Sequence, residues 1–316
     1  MIKTRITELL GIKYPLIQGA LGEVSESVEF VAAVCNAGAL GILAAVHLGA
    51  EGVKEDIKRI RDLTDKPFGV NVLPVNPQYE EILEIMVEEG VNVFCHGRYN
   101  PVKALMKAKE SKVKALSLPT VGSVKHAVRA EQDGAEALMV TGTEGGGHTG
   151  YVGTIVLIPA VARKVSIPII AGGGVATPEQ AAAMFVLGAE GVIMGTRFMM
   201  TKECPMHPNS LKALLEATEE DTYASVHVSG RHQRWLSTPS FKKRFVGLAE
   251  VKGQDHYWSF PSMAGKACIE GDIEVGIVGS GQGIGLIDDM PSIKDMVENI
   301  MEGAEKVLLE SAKFVS

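Results

Sequence analysis

The chain has 316 residues, 46% of them hydrophobic, enough for one large α/β core or a domain with an insertion. Its 38 acidic against 31 basic residues give a net charge of −7, which argues against partnership with nucleic acid or an anionic membrane surface. No apolar run approaches the roughly 20 residues of a bilayer span, and Met1–Arg5 opens no signal peptide, so the expectation is a soluble, cytoplasmic protein. Cys35, Cys95, Cys204 and Cys268 form no CxxC pair and have no zinc-ligand spacing with histidine; they read as buried thiols, with no metal site.

Eight short, almost continuously apolar runs follow one another, roughly 22 to 31 residues apart: Pro15–Leu21, Ala39–Ala44, Phe68–Leu73, Val91–Cys95, Lys114–Val121, Ala137–Val140, Pro168–Ala171 and Gly191–Met194. Continuous rather than alternating apolarity marks parallel strands covered on both faces. Amphipathic helical patterns lie between them. Ser25–Ala37 stops at Gly38, and Glu51–Leu63 carries Glu55, Lys58 and Arg59 on its outer face. Ser123–Asp133 opens on a capping serine and stops at Gly134, and Thr177–Leu187 has Pro178 at its first position and stops at Gly188. Eight strands alternating with helices over about 200 residues predict a TIM (β/α)8 barrel.

After the eighth strand the pattern changes. Residues 201–269 hold both tryptophans, Trp235 and Trp258, and a basic cluster at Arg231, His232, Arg234, Lys242, Lys243 and Arg244, which could meet an acidic substrate or a nucleotide phosphate but reads better as a solvated helix face. The segment is expected to be a mainly helical insertion, capping a barrel built from residues 1–200 and 270–316. Ser292–Phe314 reads as a long closing helix.

Barrel active sites lie on the loops that follow the strands. Three such loops are glycine-rich: Glu144-Gly145-Gly146-Gly147-His148 after the sixth run, Gly172-Gly173-Gly174 after the seventh and Gly195-Thr196 after the eighth. Glycine lets backbone N–H groups converge on an anion, so the last two loops predict a phosphate cradle. Gly172 is followed five positions on by Thr177 and Gly281 by Leu286, so no GxGxxG motif exists, and Gly265-Lys266-Ala267 is no P-loop. A mononucleotide such as FMN fits better than a dinucleotide. His148, on a flexible loop of the functional face, is the candidate proton-transfer residue, with Glu144 as an acceptor or a solvated carboxylate. Asn71 is polar within an apolar run, and its amide could meet a flavin edge or a neighbouring loop; Gln18 and Gly19 invite the same reading. His96-Gly97-Arg98-Tyr99 could line a substrate pocket. His207, His227 and His232 have no metal-ligand spacing.

These motifs resemble the FMN-dependent nitronate monooxygenases (2-nitropropane dioxygenases), a family sharing fold and motifs with flavin-type enoyl-ACP reductases and NADH:quinone reductases. The resemblance runs from Tyr14–Gly19 through Pro67–Asn71, Glu144–His148, Ile169–Gly174, Met194–Phe198 and Glu203–Pro205 to Gly281–Ile287. It implies non-covalent FMN, with the phosphate at Gly173, Gly174, Gly195 and Thr196, close to Gly172. Ala20, Leu21, Asn71, Thr120 and the Gly146-Gly147 turn would approach the ring, and Gln282 and Gly283 would come in from the C-terminal segment. His148 would be the catalytic residue. Three departures bear on specificity: Ala20-Leu21 replaces the usual glycine-methionine, His96–Pro101 replaces a Gly-Asn-Pro loop, and Thr120 and Thr141 stand where relatives often carry other polar contacts. The leading expectation is an FMN-dependent oxidoreductase oxidising alkyl nitronates with oxygen. A second is an NADH-dependent reductase of enoyl thioesters or quinones, and a third is a flavin-free barrel binding a phosphorylated ligand. The expected partners are a small-molecule substrate and, in the second reading, NADH; a homo-oligomer is compatible with all three.

Overall fold

The structure, a computed structural model, describes residues 1–45, 47–97, 102–226, 231–245 and 260–314. All eight apolar runs form strands: β1 (Leu16–Gln18), β2 (Gly41–Ala44), β3 (Phe68–Asn71), β4 (Val93–Gly97), β5 (Leu116–Val121), β6 (Leu138–Thr141), β8 (Ile169–Gly172) and β9 (Gly191–Met194). They make one parallel sheet in the order β1-β9-β8-β6-β5-β4-β3-β2. The ends of this sheet meet: Leu40 N donates to Leu16 O at 3.0 Å and Gln18 N to Leu40 O at 2.9 Å. Gln18, with no exposed surface, tightens the closure by accepting from Ile42 N at 2.9 Å. The result is the TIM barrel that the spacing predicts.

The barrel interior is filled by Ile17, Ile42, Val93, Leu118, Met139 and Ile170, and helix α1 (Arg5–Leu10) adds Ile6 and Leu10 to the same cluster. Burying each such side chain contributes about 1.5–3 kcal/mol, so the inner layer alone strongly favours closure. The outer layer forms where the helices cover the strands. Ser123 accepts from His126 N to cap α6 (Val124–Gln132), and Thr177 with Gln180 makes a capping box on α8 (Pro178–Val186). Helix α2 (Val28–Asn36) starts later than its pattern suggests: Ser27 is its cap, while Ser25 Oγ accepts from Leu21 N at 2.8 Å and shapes the loop after β1.

The C-terminal helix α13 (Ile293–Glu310) packs on α8 so closely that a Cβ on Gly303 would lie 2.7 Å from Pro178 Cβ. Two motif residues secure this return of the chain. Arg197, buried, donates to Asp289 Oδ1 at 2.7 Å and to Met200 O at 2.7 Å, and Glu203 accepts from Ile293 N at 2.9 Å.

Residues 201–269 contain the expected helices α10 (Pro208–Leu215), α11 (Pro239–Phe245) and α12 (Phe260–Cys268). They also contain two strands, β10 (Thr222–Ser225) and β11 (Gln233–Leu236), and β11 pairs antiparallel with β7 (Gly147–His148), the end of the glycine loop. All four residues of β11 are buried, so it forms the covered middle strand of this small sheet. Arg234 is therefore a buried strand residue and not part of a solvated helix face. Lys242 and Lys243 are exposed on α11 as expected. Arg98, Tyr99, Asn100, Pro101, His227 and Trp258 lie outside the described residues, as does the side chain of Arg244. All four cysteines are free and buried. Among the described residues no helix is long and apolar enough to cross a membrane, and no His/Cys/Asp/Glu group could hold a metal ion.

Candidate active site

The C-terminal ends of the barrel strands open into a cleft of about 1550 Å³. On one side its wall is backbone. Gly173 and Gly174 have φ of +117° and +75°, values open to glycine but strained for other residues. A Cβ on Gly173 would also meet Thr154 Oγ1 at 2.4 Å and Gly142 N at 2.8 Å. The N–H groups of Gly173, Gly174 and Gly195 donate to no backbone acceptor among the described residues. Close-packed glycines with unclaimed amides at the seventh and eighth strand ends make a cradle for an anion.

The loop after β6 is tied to this cradle. The Glu144 carboxylate accepts from Thr154 N at 2.9 Å and Thr154 Oγ1 at 2.7 Å, at the start of α7 (Thr154–Ala162). The Thr154 hydroxyl also reaches Gly173 O at 3.0 Å. Glu144 is thus a helix cap that locks the sixth loop to the seventh. The C-terminal segment completes the wall: Gln282 N donates to Glu144 O at 2.9 Å, and Gly281 N donates to Thr196 Oγ1 at 3.0 Å. A Cβ on Gly146 would meet Gly281 N at 2.8 Å, and one on Gly283 would meet Gly174 O at 2.2 Å.

On the other side the wall is made of side chains. His148 stands in β7 opposite Gln233 of β11. The Gln233 amide nitrogen lies 3.0 Å from His148 Nδ1 and also touches its Nε2. Arg234 donates through Nε to Thr143 O at 2.9 Å and through Nη1 to Thr222 Oγ1 at 3.0 Å, fastening β11 to the same loop. Burial works against its charge and the Glu144 carboxylate favours it. Thr149 Oγ1 lies 2.9 Å from His232 Nδ1, and the His232 ring packs 4.5 Å from that of Tyr151.

The cleft brings together Gly19, Ala20, Leu21, Asn71, Thr120, Thr141, Gly146, Gly147, His148, Gly173, Gly174, Gly195, Thr196 and Gly283. Three predicted residues do not line it: Gln18 is spent on closing the barrel, Gly172 packs against Ile193, and Gln282 contributes its backbone to Glu144. The Asn71 amide makes no side-chain hydrogen bond to the described residues, leaving both of its ends for a ligand. His96 belongs to β4 itself; its Nε2 lies 2.7 Å from Ser117 Oγ, and burial pushes its pKa down to about 4, so it is neutral. Sequence reasoning missed Thr154, Gln233 and the pairing of β7 with β11. No alternating pattern marks Gln233-Arg234-Trp235-Leu236, so the strand left no signal in the sequence. At the rim Glu23 and His47 face each other at 3.9 Å, both driven by burial toward their uncharged forms.

Residues 3–303 match the model of the family described as nitronate monooxygenase. The chain belongs to the nitronate monooxygenase family. Among relatives, it is 33% identical to the (3aS,4S,5R,7aS)-5-hydroxy-7a-methyl-1-oxo-octahydro-1H-indene-4-carboxyl-CoA dehydrogenase of Rhodococcus jostii, over 96% of each chain. It is 28% identical to a probable nitronate monooxygenase of Staphylococcus aureus, over 97% of this chain and 98% of that one. The solved structure of FabK from Thermotoga maritima superposes with a TM-score of 0.91 at 33% identity, over 100% of both chains. The protein is therefore an oxidoreductase of this family, with FMN as its cofactor. The glycine wall has the donors a mononucleotide phosphate needs, since the N–H groups of Gly173, Gly174 and Gly195 meet no backbone acceptor among the described residues.

Proposed function

We propose that this family member exchanges electrons between NADH and an acyl thioester, with Gly173, Gly174, Gly195 and Thr196 holding the FMN phosphate. Gly19, Ala20, Leu21, Asn71, Thr120 and the Gly146-Gly147 turn border the flavin ring, and residues 201–269 serve as the cap. When bound, the flavin accepts and delivers a hydride. The chain's own part is placement and proton handling. Asn71 offers a donor and an acceptor to a ring edge. His148 supplies the proton that accompanies hydride delivery to the unsaturated acyl carbon, so an α,β-unsaturated thioester would gain one hydride and one proton while NADH is oxidised. The capped mouth limits water around these groups.

The observation that carries the reading is the size and course of the cleft. At about 1550 Å³ it has room for FMN and for a substrate beside it. It continues past Gly122 and Ser123 along α6, where Lys125, His126 and Arg129 border it, with Arg231 also on its wall. A small nitronate leaves that extension unused, whereas a thioester on a long anionic carrier such as coenzyme A would occupy it. The Rhodococcus relative, named as acting on a carboxyl-CoA, supports the same class. Oxidation of a nitronate by oxygen is the second reading, supported by the family description and the Staphylococcus relative.

The visible spectrum under anaerobic conditions tests the choice. The expected sequence is bleaching by NADH and recovery on adding crotonyl-CoA. Bleaching by propyl-2-nitronate alone, with NADH-reduced flavin indifferent to crotonyl-CoA, would replace the thioester reading by the nitronate one.

A further inference from the structure

Gln233 is one of the least expected residues in the molecule. It has no exposed surface, yet it is a primary amide, and its Oε1 is buried with no hydrogen-bond partner. An apolar side chain of similar size would relieve that burden, so a buried amide needs a reason. The reason lies directly across the strand pair. Gln233 is in register with His148, and its amide nitrogen rests on the imidazole edge, 3.0 Å from Nδ1 and in contact with Nε2. The next residue, Arg234, is in register with Gly147 and anchored to Thr143 O and Thr222 Oγ1, so the strand carrying Gln233 is held against the loop from both sides.

We propose that Gln233 is a positioning residue for His148, holding its imidazole in one orientation and one neutral tautomer. An amide offers a donor at one end and an acceptor at the other, and whichever end meets the ring fixes where the single imidazole proton sits. A fixed tautomer presents the same ring atom to the cleft in every molecule. The insertion thereby does more than cover the site: it sets the chemistry of a residue that belongs to the barrel. The functional value of this arrangement rests on the proton-transfer role proposed above for His148; the arrangement itself does not.

The test uses the FMN-loaded protein labelled with 15N in histidine, followed by long-range proton–nitrogen spectra between about pH 5 and about pH 9, where imidazole titrates. His148→Gln identifies the signal. The expected result is one tautomer for His148 in the parent protein and a mixture in Gln233→Leu. Gln233→Glu, close in size, is the second variant, its buried carboxylate offset by the imidazolium it faces. Its carboxylate, directly across the strand pair from the ring, favours imidazolium. The His148 midpoint then rises by about one pH unit, a tenfold gain in proton affinity. Unchanged tautomer signals in Gln233→Leu together with an unmoved midpoint in Gln233→Glu would overturn the proposal. Failure of the His148 reading is seen separately, as turnover unaffected by His148→Ala while the tautomer result stands.

Discussion

The two ends of the cleft are built on opposite principles. The cradle at Gly173, Gly174 and Gly195 is made of backbone: its donors are main-chain amides, and its selectivity lies in side chains that are missing. The end at His148 is made of side chains brought from far apart, with His148 and Gln233 separated by 85 positions. A backbone site is set by local conformation and tolerates no added atom. A side-chain site is set by packing and can be tuned without loss of the fold. This contrast explains how one family framework can keep its cofactor while its substrate varies.

The largest expected effect breaks the backbone end, because a flavoenzyme that loses its flavin loses all of its activity. Gly173→Ala forces a Cβ into Thr154 Oγ1 and Gly142 N at a φ of +117°, costing roughly 1–3 kcal/mol of strain before any ligand is lost. The variant is expected to purify without yellow colour and to bind added FMN about 5- to 150-fold more weakly, in proportion to that strain. Normal flavin content would show that the cradle lies elsewhere.

At the side-chain end, His148→Ala should lower turnover by about 10²–10⁴-fold, the usual range for a general acid or base, with the flavin spectrum intact. Loss of FMN along with activity would blur the division between the two ends, and unchanged turnover would remove His148 from the chemistry. Steady-state rates and absorbance on the same preparation decide between these outcomes.

Glu144→Gln probes the junction of the ends. It weakens the cap on α7 by about 0.5–2 kcal/mol, and with it the Thr154 contact to Gly173 O. A lower midpoint in thermal unfolding, accompanied by weaker FMN binding, is expected. Lower stability with unchanged FMN affinity would mean that the two loops are independent.

The smallest effect is a control near the rim. Burial, with Glu23 and Asp56 nearby, raises the Glu26 carboxyl to about 7. Its folded pKa lies above its unfolded value, so the folded state binds more protons between about pH 4.5 and about pH 7, and stability falls as pH rises through that window. Glu26→Gln should flatten this slope and stabilise the protein above it by about 1 kcal/mol, discounted because part of the carboxylate reaches solvent. Denaturant unfolding at several pH values measures it; an unchanged slope would assign the pH dependence to other groups.

The barrel was legible because each parallel strand, covered on both faces, must be apolar throughout its length, and each helix marks its start with a cap such as Ser123 or Thr177. The glycine wall of the cleft was legible for the same local reason, since only glycine supplies both the conformations and the close approach seen at Gly173 and Gly174. Gln18 misled because polarity inside a strand signals burial with a partner without saying which partner, and here it was the backbone of β2. Glu144 stayed ambiguous because its partner, Thr154, is ten residues away across a loop. The sequence by itself determined the eight-stranded framework, the positions of its glycine loops and the presence of a histidine among them. Only the tertiary structure decided that β7 and β11 pair, that Arg234 is buried in a strand, and that Gln233 meets His148. Backbone conformation is written in neighbouring residues, whereas the meeting of distant side chains depends on the packing of the whole chain.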